Sequence, residues 1–120
     1  MADIQIIDLQ AIEALRALSP DDGGEFLREL VAIYLQDTPK RLAELELALA
    51  SGDAPTFTRA AHTIKGSSSN FGAGRVSKLA QEIELQGKSG NLTAAAGACD
   101  GLKAEYGLVA QALTQIVRGT

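Results

Sequence analysis

The sequence predicts an all-α protein: an up-down antiparallel four-helix bundle with one or two additional N-terminal helices packed as a cap. Three observations carry this. Ala and Leu dominate, and β-branched residues nowhere alternate with polar ones over a useful length, so strand signals are nearly absent. Apolar residues instead recur at spacings of three and four. Gly, Pro, Ser and Asp interrupt these stripes in short clusters, and short loops between long amphipathic helices favour antiparallel neighbours.

The elements follow in order. Asp8 is placed to cap a first helix carrying Leu9, Ile12, Leu15 and Leu18, and the run 19–24 (SPDDGG) is a turn cluster. A second helix is expected over 24–37, with Phe26, Leu27, Leu30, Val31, Ile33, Tyr34 and Leu35. Pro39 should break or kink it, because proline lacks the amide proton and clashes with the preceding turn. A third helix is expected over 39–51, with Thr38 as N-cap, Pro39 in its first turn and the stripe Leu42, Leu45, Leu49. Asp53 or Ala54, then Pro55, opens a fourth, and Gly72 stops it. A fifth is expected over 73–87, with Val76, Leu79, Ala80 and Ile83, followed by a loop at 87–90 (GKSG). Asn91 or Thr93 opens the last, which reaches about Val117. Gly97, Gly101 and Gly107 each cost that helix about 1 kcal/mol relative to Ala. It should therefore kink or break there, or pack closely enough against its neighbours to offset the cost.

At 120 residues the chain reads as one domain, 1–120, large enough to bury a core without staples. No apolar run approaches the roughly 18–20 residues of a membrane span. The N-terminus lacks the basic and apolar regions of a secretory signal, and Cys99 has no internal partner for a disulfide. These point to a cytoplasmic protein with no membrane role. A net charge of −4 without a basic stretch argues against a nucleic-acid binder. The chain is expected to act as a monomer.

The chemistry centres on the single histidine, His62. Phe57, Ala61, Ile64, Ser68 and Phe71 form the small-or-apolar stripe of its helix. At about 100° per residue, His62 projects roughly 140° from the centre of that stripe, into water. Lys65 and Gly66 lie one turn on along the same side, and Ser69 follows. With no second His and Cys99 far away, a transition-metal site has too few ligands. Nucleophilic hydrolysis would need an oxyanion hole and a partner base, and nothing near His62 offers them. A phosphoryl acceptor fits better. An imidazole nitrogen attacks phosphorus, and the Lys65 ammonium offsets the arriving charge. Gly66 removes a side chain where a protein donor must approach, and Ser69 offers a hydroxyl to a phosphoryl oxygen. Thr58 and Arg59, one turn earlier, line the rim.

The run 60–73 (AAHTIKGSSSNFGA) resembles the signature of the histidine-containing phosphotransfer (HPt) family. The likeness rests on Ala61-His62, Lys65-Gly66-Ser67 and Phe71-Gly72-Ala73, with Leu79-Ala80 and Ile83-Glu84 resembling the family's next helix. Ile64 stands where leucine is usual, and the last helix is unusually rich in glycine. The resemblance implies a histidine phosphotransfer protein of a multistep two-component phosphorelay. It would take a phosphoryl group on His62 from a receiver-domain aspartate and pass it to another receiver. Its partners would be response-regulator receiver domains and a hybrid sensor kinase. It would be a phosphocarrier with no ATP site and no cofactor of its own, the Mg²⁺ of transfer belonging to the receiver. Alternatives are a receiver-docking helical module without transfer, and an HPt fragment of a larger hybrid sensor kinase.

Overall fold

In a computed structural model, residues 6–119 are described, and all regular structure among them is helical. Helix α1 spans Leu9–Ala17, α2 Glu25–Ser51, α3 Ala54–Ser69, α4 Gly74–Ser89 and α5 Ala96–Arg118, the last preceded by a 3-10 turn at Thr93–Ala95. The outer ends of the expected 1–120 domain, residues 1–5 and 120, lie outside the described residues.

Helices α2 to α5 form the bundle. Tight connections at 52–53, 70–73 and 90–92 reverse the chain between packed neighbours. Each helix packs on the next and α5 returns to α2, with α3 and α4 the most intimate pair. The core is mainly Leu, Ile, Val and Ala around Phe57, Phe71, Tyr34 and Tyr106. Tyr34 stacks at a tilt on Phe71 and Tyr106, with ring centroids 4.9 and 5.7 Å away. Among the described residues no helix is long and apolar enough to cross a membrane.

Asp8 caps α1 by accepting from the Gln10 amide, as expected. The predicted apolar stripe of α1 is only partly used. Ile12 is buried and Leu15 half-buried, whereas Leu9 and Leu18 are exposed. The helix is anchored instead through its start: the Asp8 amide donates to the Gly72 carbonyl at 3.0 Å. Gly72 itself has φ +66°, and a Cβ there would lie 2.6 Å from that of Asp8. One small helix therefore caps the bundle.

The second expected cap segment does not exist as a separate helix. The predicted helices 24–37 and 39–51 are one continuous α2, and Pro39 sits inside it. Two physical reasons account for this correction. Leu27, Val31, Tyr34 and Thr38 before the proline stay in phase with Leu42, Leu45 and Ala48 after it, forming one buried face that a break would expose. Proline also leaves the Leu35 carbonyl without its i+4 donor, and the Tyr106 hydroxyl donates to that oxygen from α5 at 3.5 Å.

Two further boundaries shift. Helix α4 runs through the predicted 87–90 loop as far as Ser89 and ends on Gly90, at φ +81°. Helix α5 neither breaks at its glycines nor packs closely there: a Cβ at Gly97, Gly101 or Gly107 would meet nothing within 4 Å. The opposite face, with Cys99, Leu102, Tyr106, Val109 and Leu113 buried, holds the helix together despite their cost.

Candidate functional site

Helix α3 begins where its sequence directs. The Asp53 carboxylate accepts from the Thr56 amide at 3.2 Å, and Pro55 occupies the first turn, where no amide partner is needed. Phe57, Ala60, Ala61, Ile64 and Ser68 then face the core. Ser68 belongs to that face because its hydroxyl pairs with the Tyr34 hydroxyl at 2.7 Å. Burial pushes the Tyr34 phenol up to about 12, so it stays protonated in that contact. On the far side the His62 side chain is 65% exposed, as the periodicity requires.

The decisive neighbour comes from α4. Glu84 is buried, with Oε2 2.9 Å from His62 Nδ1 and Oε1 2.9 Å from Lys65 Nζ. Lys88 Nζ lies 3.5 Å from the same Oε2. The hydrogen bond from Lys65, followed by that from His62, outweighs burial and holds the Glu84 carboxyl down at about 2. An ionised carboxylate only accepts, so Nδ1 carries the proton of the neutral ring. The lone pair is then on Nε2, the other ring nitrogen of a largely exposed side chain. One buried carboxylate thus sets which nitrogen of the neutral His62 ring keeps its lone pair.

The other expected site residues divide. Lys65 is on the expected side but half-buried, and its ammonium bonds Glu84 rather than standing free beside the imidazole. It acts on His62 through that carboxylate. Gly66 is exposed, and a Cβ there would meet nothing within 4 Å, so its bareness serves no packing among the described residues. The Ser69 hydroxyl donates to the Lys65 carbonyl at 2.8 Å, which commits the proton that a phosphoryl oxygen would need. In this arrangement Ser69 satisfies the nearest backbone acceptor, as serine at a helix end commonly does, and the Ser77 hydroxyl lies 3.1 Å from it. Thr58 likewise donates to the Ala54 carbonyl at 2.8 Å. Thr58 and Arg59 do line a cleft of about 670 Å³ beside His62, shared with Glu84, Gly87 and Lys88.

Glu84 and Lys88 are the neighbours of His62 and Lys65 that the sequence does not single out. A signal for Glu84 was present: it falls in the stripe Val76, Ala80, Ile83, Glu84, Gly87 that α4 buries, and a carboxylate on such a face requires a partner. Lys88 falls in the stretch 87–90, whose composition predicts a loop.

The Hpt domain family matches residues 29–117. The match covers most of the chain, which therefore belongs to that family. It is 29% identical over 85 residues to "Multistep phosphorelay regulator 1" of Schizosaccharomyces pombe. That alignment covers 71% of this chain and only 29% of the yeast protein. Among solved structures, histidine-containing phosphotransfer protein B (HptB) of Pseudomonas aeruginosa PAO1 superposes with a TM-score of 0.88 at 26% identity, covering 98% of this chain and 99% of that one. The HPT domain of a sensor hybrid histidine kinase from Shewanella shares the fold, with a TM-score of 0.73 at 22% identity over 94% of this chain and 98% of that one.

Proposed function

We propose that His62 Nε2 is the phosphoryl acceptor and donor of this chain. The observation that carries the proposal is the Glu84–His62 Nδ1 contact of 2.9 Å beneath a largely exposed ring. The Nε2 lone pair attacks the phosphorus of a receiver's aspartyl phosphate. The bond from phosphorus to the aspartyl oxygen breaks, and its electron pair returns to the receiver's carboxylate. The ring, still protonated at Nδ1, acquires positive charge as the N–P bond forms, and the Glu84 carboxylate is already placed to offset it. In the return step an aspartate of a second receiver attacks phosphorus, and the N–P electrons go back to Nε2. The transfer is reversible, so this chain supplies position and electrostatics.

Lys88 and Arg59 flank the cleft and supply cations on the rim, while Gly66 leaves the receiver room to approach. Leu85, exposed on the outer side of α4, adds an apolar contact. The Mg²⁺ of transfer belongs to the receiver. The reading includes a monomer acting in the cytoplasm on protein partners, not on nucleic acid, which its net charge of −4 supports.

The test is a labelling experiment. A phosphorylated receiver should transfer its group to the wild-type chain and not to His62→Gln, with circular dichroism unchanged between the two.

A further inference from the structure

We infer that Gly87 is a positioning residue for His62: by letting α4 touch α3, it brings the Glu84 carboxylate within reach of the ring. The inference rests on the phosphoacceptor reading of His62 and extends it to a residue that carries no functional group.

A Cβ at Gly87 would lie 2.3 Å from Thr58 Oγ1, 3.0 Å from Phe57 Cδ2 and 3.3 Å from Thr58 Cα. The first contact is the severe one, and the other two ask their neighbours to give by only a few tenths of an ångström. The Thr58 hydroxyl is held by its bond to the Ala54 carbonyl, Phe57 is fully buried, and the third contact is backbone. Gly87 is therefore a point where the two helices pack with no room for a side chain. One turn along, each helix presents its half of the charge cluster. Thr58 is four residues before His62 on α3, and Glu84 is three residues before Gly87 on α4.

The carboxylate has to satisfy two demands across this contact. Its oxygens sit 2.9 Å from His62 Nδ1 and 2.9 Å from Lys65 Nζ, both on α3. Both bonds stand at normal length, and a hydrogen bond weakens steeply when stretched beyond its normal range. A separation of the helices by about 1 Å would cost one bond or both, and the ring would lose the acceptor that fixes its proton. The other helical glycines show that this is specific. Gly66, Gly97, Gly101 and Gly107 have open space where a Cβ would go.

The chain has one histidine, so a two-bond ¹H–¹⁵N correlation spectrum reports the protonation of His62 without ambiguity. It should be recorded on the full chain at a pH where the ring is neutral. Wild type should show the proton on Nδ1. Gly87→Ala should show a mixture of tautomers, and labelling by a phosphorylated receiver should slow on the order of 10- to 100-fold. Gly97→Ala should match wild type in both measurements. Adding Thr58→Ala to Gly87→Ala removes the nearest obstructing atom and should restore the wild-type tautomer, whether or not the single variant folds. A folded Gly87→Ala chain with the wild-type tautomer and rate would overturn the inference, as would a folded double variant that keeps the mixture. If wild type is never labelled, the phosphoacceptor reading fails, while the tautomer comparison still decides the role of Gly87.

Discussion

A single buried carboxylate governs the proposed chemistry. Glu84 accepts from His62 Nδ1 and from Lys65 Nζ at once, so the same group selects the nucleophilic nitrogen and binds the lysine. Replacing Glu84 by Gln should keep the fold while removing the charge that offsets the phosphorylated ring. Initial labelling rates from a phosphorylated receiver should fall on the order of 10- to 100-fold. The same group sets an acid limit on stability. Its folded pKa is depressed from 4.5 to about 2, so its contribution is full above about pH 4.5 and disappears as pH falls through 2. That contribution is about 3 kcal/mol, and Glu84→Gln should lose most of it at pH 7 but little at pH 2, as read from denaturant midpoints. Gly66→Gln should raise the melting temperature slightly, because glutamine favours the helix and nothing among the described residues occupies the space above Gly66, yet slow transfer from the receiver. His62, Lys65 and Gly66 were legible in the sequence because they lie on one helix, where spacing alone fixes their direction. The burial of Glu84 is signalled by its stripe, but its pairing with His62 is not, because the two lie 22 positions apart and only packing brings them together.

The helices show where local rules yield to packing. Pro39 carries a strong local signal to end a helix, and α2 passes through it because the residues on either side keep one buried face in phase. That phase could have been read from the spacing of Tyr34, Thr38, Leu42 and Leu45. The donor that covers the freed Leu35 carbonyl could not, since Tyr106 comes from a helix 71 residues later. Tyr106→Phe should therefore cost about 1 kcal/mol, measured by chemical denaturation. In α5 the glycines are helical residues with empty space above them. Gly97→Ala and Gly107→Ala should each stabilise the chain by about 1 kcal/mol, raising the melting temperature by a few degrees. The caps of α1 and α3 were legible because Asp8 and Asp53 act on amides two and three residues away.

The bundle as a whole presents a small cationic site on an acidic protein. Net charge is −4, yet Arg59, Lys65 and Lys88 gather around His62. Docking to an aspartate-centred receiver site should therefore weaken with salt, and transfer should slow severalfold between about 0.05 and 0.5 M ionic strength as the Debye length shortens. The measurement that bears most directly on the central claim is the incubation of this chain with a phosphorylated receiver, comparing wild type with His62→Gln. Acid-labile label on the wild type alone, with both chains equally helical, is the result expected. Equal labelling of the two chains would contradict the assignment of His62.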